Sequence, residues 1–182
     1  MKNTSIKTVV AIGIGAALFF VLGRFVAIPS GVPNTNISLQ YAILGMLAAM
    51  YGPVAGGLIG FIGHTLIDFS WGGSPWWSWI IASAVFGLLM GLGAKLLKMN
   101  GAEMGKKGLI KFNIVQIVGH VICWGGVAPV LDILMYNEPL DKLFAQGLVA
   151  GTSNAVTTAI VGSLLCIAYA ATKTKAGSLT KE

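Results

Sequence analysis

The sequence predicts an all-α integral membrane protein, a compact bundle of six transmembrane helices with both termini in the cytoplasm. Three observations predict it. Of the 182 residues, 55% are hydrophobic and only 10% are charged, whereas soluble domains run near 25% charged. The apolar residues gather into runs, and one membrane crossing takes about 20 of them. The lysines lie between those runs, where topology signals belong. Six spans use roughly 120 residues, so 1–182 reads as one membrane domain with no room for a soluble catalytic domain. The net charge of +6 has no basic, aromatic-interleaved stripe beside it, which excludes nucleic acid as a partner.

The first span runs from Thr8 to Ile28. Lys2 and Lys7 before it faintly resemble the start of a signal peptide. The apolar run exceeds the roughly 7–15 residues of a signal core, however, and is read as a retained helix. Pro29, Gly31 and Pro33 end it and open a loop to Asn36. Leu39 to Ile67 is either one long kinked helix or a hairpin of two short ones, broken at Tyr51-Gly52-Pro53. Charge decides between them. With a hairpin, Lys2, Lys7, Lys95, Lys98, Lys106, Lys107, Lys111, Lys173, Lys175 and Lys181 share one side, and only Arg24 and Lys142 lie opposite. A single helix would set the Lys95–Lys111 cluster against Lys2 and Lys7. The positive-inside rule selects the hairpin, and Gly52-Pro53 supplies its turn. Its helices, Leu39–Tyr51 and Val54–Ile67, span only about 20 Å against roughly 30 Å of hydrocarbon, which predicts local thinning of the bilayer or an unusual seat in it.

The remaining elements follow. Asp68 to Trp77 is a polar, aromatic outer segment, and the fourth span is Trp79–Leu97. A lysine-rich inner loop runs from Lys98 to Lys111, and the fifth span is Ile114–Met135. An outer loop covers Tyr136–Lys142, and the sixth span is Ala145–Ala171. Asp68, Asp132, Glu138 and Asp141 all fall at outer ends, where loops meet an external ligand.

Several residues are candidates for function. On the first helix, Ala11/Gly15 and Gly13/Ala17 are four-residue steps of small residues, which let another helix approach closely in lipid. They serve either a partner subunit or packing against the chain's own helices. His64 and Asp68 share one face of the third helix near its outer end. Ionisable residues in a span usually face the interior or a cavity, here as ligand contacts or as a bond that locks the helix end. Gln116, His120 and Trp124 form one stripe on the fifth helix, with Asp132 about 120° away on the outer rim. His120 reads first as a satisfied interhelical contact. On the sixth helix Asn154 is the ligand candidate, and Thr157 and Thr158 are interhelical hydrogen bonders.

Phe69 to Trp79 holds four of the five tryptophans. An interfacial belt would place them at both membrane surfaces. Clustered beside Gly72, Gly73, Pro75 and Asp68, they suit a pocket for a bulky, partly apolar organic ligand. Cys123 and Cys166 lack any paired-cysteine spacing and read as small buried hydrophobes. No HExxH, GxSxG, P-loop or paired carboxylates occur. The chain is therefore expected to catalyse nothing, to hold no metal or cofactor, and to borrow any ATP-driven motor from another chain.

These segments together resemble a family. Val9-Val-Ala-Ile-Gly-Ile-Gly-Ala-Ala17, Leu22-Gly-Arg-Phe-Val-Ala-Ile-Pro29, Gln40-Tyr-Ala-Ile-Leu-Gly45, Tyr51-Gly-Pro-Val-Ala-Gly56, Phe61-Ile-Gly-His64, Ile67-Asp-Phe-Ser-Trp-Gly72 and Ser74-Pro-Trp-Trp-Ser-Trp79 resemble the substrate-binding S components of energy-coupling factor (ECF) vitamin transporters. They look most like a branch linked to cobalamin uptake. The resemblance implies a bacterial plasma-membrane subunit that captures a vitamin outside and delivers it inside. Its partners would be a membrane-embedded T component and two ABC-type ATPases, which use ATP and Mg. The ligand would sit in the outer half, under the loops after helices one, three and five. The expected rim is Asn34, Asn36, Asp68, Trp71, Trp76, Trp77 and Tyr136, with His64 and Asn154 deeper. Ala11, Gly13, Gly15 and Ala17 would dock the T component, although the family's motif is typically alanine-xxx-alanine and each pair here carries one glycine. The start Met1-Lys-Asn-Thr4 lacks the histidine motif of S components for cobalt or nickel ions. The alternatives are an S component for another bulky nutrient, such as a queuosine precursor, or a stand-alone facilitator. The latter would need a polar stripe through the whole bundle, and only the outer halves here are polar.

Overall fold

The computed structural model describes residues 6–99 and 105–172. Expectations resting on Lys2, Lys173, Lys175, Lys181 and the middle of the lysine-rich loop lie outside the described residues. Six helices form the protein: α1 Ile6–Phe25, α2 Gln40–Tyr51, α3 Pro53–Ser70, α4 Trp77–Leu96, α5 Lys106–Tyr136 and α6 Leu140–Ala171. Of these, α1, α4, α5 and α6 are long and apolar enough to cross a membrane. They form a membrane helical bundle. We call the end bearing the α1–α2, α3–α4 and α5–α6 connections the outer end, following the charge distribution.

The α2–α3 hairpin turns where the sequence demands it. Gly52 sits at φ +90°, a conformation that costs glycine little, and Pro53 occupies the first turn of α3, where a missing N–H costs nothing. α3 packs on α4 through backbone rather than side chains. A Cβ on Gly56 would strike the Gly87 carbonyl, one on Gly87 the Gly56 carbonyl, and one on Gly60 the Ser83 carbonyl. Only glycine permits that approach.

The structure differs from the sequence reading in four places. α2 is short, at 12 residues, but none of its residues is exposed. It is the central helix, packed on α1, α3, α4 and α6, so its shortness creates no mismatch with lipid and instead leaves space above its outer end. α3 has 18 residues and runs a turn beyond Ile67, through Asp68. α1 stops at Phe25 because the chain beyond it pairs: Ile28–Pro29 (β1) with Asn36–Ile37 (β2), antiparallel. α5 and α6 each contain a wide π turn, at Cys123–Val127 and Thr158–Gly162.

The core is aromatic, built from Phe19, Tyr41, Phe86, Phe112 and Trp124. Phe19 and Phe86 each meet Tyr41 edge-on, at 5.3 and 5.7 Å between ring centroids. Outward faces are apolar too: Val9, Val10, Ile14 and Leu18 of α1 are exposed. Gln116, His120, Asp132 and Asn154 are buried. This distribution of polar groups inside and apolar groups outside is what lipid favours.

Candidate ligand-binding site

Above the outer end of α2 lies a cavity of about 580 Å³. The α1–α2 loop, the α3–α4 loop, α5 and α6 enclose it. Asn34, Asn36, His64, Asp68, Trp71, Trp76 and Asn154 line it. Trp77 and Tyr136 lie just behind the lining. Trp77 stacks on Phe61 at 6.3 Å. Tyr136 packs under the Trp76 ring at 4.3 Å and accepts the Trp77 N–H at 2.9 Å. Successive residues at a helix start are about 100° apart, so Trp76 and Trp77 cannot both face the cavity.

A hydrogen-bonded chain forms one wall. Ser83 Oγ lies 2.8 Å from Tyr41 OH and 2.6 Å from His64 Nδ1. His64 Nε2 is 3.6 Å from Asp68 Oδ1, and Asp68 Oδ2 accepts the Trp76 backbone N–H at 2.8 Å. On the opposite wall Asn154 is 3% exposed, and its Oδ1 has no hydrogen-bond partner among the described residues. A buried amide oxygen without a partner is costly, and the residue that carries it lines the cavity. Gln146 Nε2 donates to the Pro33 carbonyl at 2.8 Å, tying the α1–α2 loop to α6.

Two cations stand at the mouth. The Arg24 guanidinium lies 3.8 Å over the Trp71 ring. Lys142 lines the cavity, pairs with Glu138 at 2.6 Å and sits 5.7 Å from the Trp76 ring. The sequence reading gave neither a ligand role and left aside Gln40, Tyr41 and Gln146, which also line the space together with Trp79 of the tryptophan cluster. Gln40 and Tyr41 sit in an otherwise apolar helix, a signal that single-residue polarity carries weakly.

Asp132 departs most from expectation. It is 1% exposed rather than on the rim. Trp76 Nε1 donates to its Oδ1 and Trp79 Nε1 to its Oδ2, each at 2.7 Å, and the Ser78 hydroxyl also donates to Oδ1. The π turn explains the position. One extra residue in a turn sets the downstream helix back by about 100°, which brings a residue expected 120° off the stripe to within roughly 20° of it.

Within the stripe, Trp124 lines the cavity. Gln116 Nε2 donates to the Ala155 carbonyl, and His120 Nε2 meets Thr158 Oγ1, both at 3.3 Å. The small residues of α1 divide in two. Ala11 and Gly15 are buried, with Leu47 and Ile59 against Gly15. Gly13 and Ala17 are exposed, and nothing stands within 4 Å of a Cβ built on Gly13. No group of three metal-ligating side chains occurs among the described residues.

Comparison with known proteins agrees with this architecture. A family model described as "ECF-type riboflavin transporter, S component" matches residues 3–171. The UPF0397 protein of Lactococcus lactis subsp. cremoris is 52% identical over 182 residues, covering all of both chains. That of Enterococcus faecalis is 51% identical over 181 residues, covering 100% of this chain and 99% of its own. That of Clostridium perfringens is 51% identical over 181 residues, covering 100% and 98%. No solved structure matches the chain. Neither the family's description nor these names carry the cobalamin assignment. Membership implies a T component and ATPase subunits as partners. The chain belongs to the S components of ECF transporters: it is a multi-pass membrane protein of transport, not an enzyme.

Proposed function

We propose that the chain acts as a single membrane domain that captures, from outside the cell, a vitamin with a flat, partly apolar face edged by hydrogen-bonding groups. The carrying observation is the outer cavity, where Trp71, Trp76 and Trp124 offer aromatic surface while Asn154 offers a buried, unpaired acceptor. Asn34, Asn36, His64 and Asp68 supply further polar contacts, and Tyr136 supports the Trp76 ring and holds the Trp77 backbone. A flavin suits this space. The matched family's description names riboflavin, and the volume of about 580 Å³ lies inside the roughly 300–1,000 Å³ typical of pockets that enclose drug-sized ligands. Cobalamin is the second reading. A corrinoid is larger and would protrude through the mouth, where exposed Trp71 and the Asn-bearing loop would meet its amide-edged rim.

Release inside is driven by ATP hydrolysed in two partner ATPases, with the T component docking on the exposed Gly13/Ala17 face of α1. Close helix approach needs that face to stay small.

Equilibrium binding to the purified protein tests the reading, with riboflavin and cyanocobalamin titrated against wild type, Trp71→Ala and Trp76→Ala. Loss of one large aromatic contact is expected to cost on the order of 1–3 kcal/mol, about ten- to a hundredfold in Kd. Saturable binding of one vitamin, weakened by either variant, supports the site. Binding of neither overturns both assignments and moves another bulky nutrient, such as a queuosine precursor, to the front.

A further inference from the structure

We infer that Asp132, which does not line the cavity, is the positioning residue that sets ligand affinity by fixing the Trp76 wall. This rests on the cavity being the ligand site. Trp76 is held at two points by two carboxylates from different helices. Asp68 of α3 accepts its backbone N–H at 2.8 Å, and Asp132 of α5 accepts its indole N–H at 2.7 Å. Tyr136, one turn beyond Asp132, backs the ring at 4.3 Å. The wall is thus a ring clamped in place, carried on a loop with left-handed Gly72 at φ +79°.

Asp132 is the hub because it accepts three side-chain donors from the α3–α4 connection and the first turn of α4, where Asp68 and Tyr136 each accept one backbone N–H. Trp76, Ser78 and Trp79 all donate to it, and they straddle the start of α4. Hydrogen bonds to a charged acceptor are about twice as strong as neutral ones. A carboxylate accepts through both oxygens, and no neutral isostere does. An asparagine here places its NH2 against one indole N–H whichever way it turns. The NH2 is favoured on the side of Trp76, because the Ser78 hydroxyl on that side can turn to accept from it whereas Trp79 offers only a donor, and there it frees the wall. Nothing else in the described structure bonds the Trp76 indole nitrogen, so Asp132 fixes the edge of a ring that Tyr136 backs from one face.

Asp132→Asn tests this, measured with riboflavin as probe, or cyanocobalamin where riboflavin shows no saturable binding. A Kd at least tenfold higher is expected. In a Trp76→Phe background, where the indole N–H is already gone, the same change is expected to add less than twofold. A merely structural role predicts an equal loss in both backgrounds, and that outcome overturns the inference, as does an unchanged Kd in Asp132→Asn alone. Ser78→Ala is the milder companion should Asp132→Asn yield no folded protein. It removes one donor and is expected to raise Kd two- to fivefold in wild type and less than 1.5-fold in Trp76→Phe, with equal effects again overturning the assignment. Hydrogen exchange of the ligand-free protein separates failure of this inference from failure of the ligand reading. The peptide covering 69–79 is expected to exchange at least tenfold faster in either variant, with Gln40–Tyr51 unchanged. Should neither vitamin bind wild type, that result alone decides, and unchanged exchange in 69–79 sinks the proposal.

Discussion

The α3–α4 seam and the α5–α6 seam answer the same packing problem in different proportions of backbone and side-chain contact. α3 and α4 meet backbone to backbone, with Gly56 against Gly87, Gly60 against Ser83 and Gly91 against Pro53. α5 and α6 make one such approach, where a Cβ on Gly147 would strike the Trp124 carbonyl, and otherwise meet through polar side chains, with Asn113 on Ser163 at 2.9 Å and Gln116 on Ala155 and His120 on Thr158 at 3.3 Å. Among the described residues, all three buried side-chain atoms without a partner, on Gln116, His120 and Asn154, belong to this second pair. Both π turns do too. Interdigitated backbones tolerate no sliding, whereas loosely satisfied polar contacts and wide turns permit rearrangement. One side of the cavity is therefore a fixed platform, and the other is able to adjust around what enters.

The comparison can be broken at its rigid side first. Gly87→Leu forces a side chain into the Gly56 backbone, where nothing flexible can yield. We expect loss of folded protein, read as absent monodisperse material after extraction, because overpacking costs about 1–3 kcal/mol or more even where neighbours give way. A well-folded Gly87→Leu protein would mean that the seam is not rigid. An intermediate effect is expected from Ser83→Ala. It strips a partner from both Tyr41 and His64, and each buried group left unpaired costs roughly 1–3 kcal/mol. A clear fall in melting temperature should result, with His64→Phe in the same background recovering part of it. The smallest effect belongs to the loose side. Gln116→Leu removes weak bonds at 3.3 Å together with an oxygen that has no partner. Replacing such a group by an apolar one is nearly neutral, so stability should change by less than about 1 kcal/mol. A large destabilisation would put the two seams on an equal footing.

Much of the fold was legible because its determinants are one-dimensional. Apolar runs mark spans, and the placement of Lys95, Lys98 and Lys106 opposite Arg24 and Lys142 counts them. The cavity rim was legible for a related reason: Trp71, Trp76, Asp68 and Asn34 are out of place in an apolar chain except around something that is not lipid. Asp132 was not legible, since its inward turn depends on a π turn between it and His120, and no residue type announces one. The buried seat of α2 was hidden as well. Its length can be counted, but which helices surround it is decided by glycine contacts on α3 and α4 that pair only in three dimensions. The two faces of α1 needed only geometry, because Gly13 and Gly15 are two positions apart, about 200° around the helix.

The short central helix has a consequence for how such a protein sets the size of what it carries. With 12 residues, α2 is about 18 Å long and stops roughly 12 Å short of a full crossing. A helix is about 10 Å across, so each residue left out of the middle of the bundle empties on the order of 120 Å³. The volume of the outer void in this architecture is then a quantity of chain length, changed by inserting or deleting residues before Gln40, while the side chains around it set its chemistry.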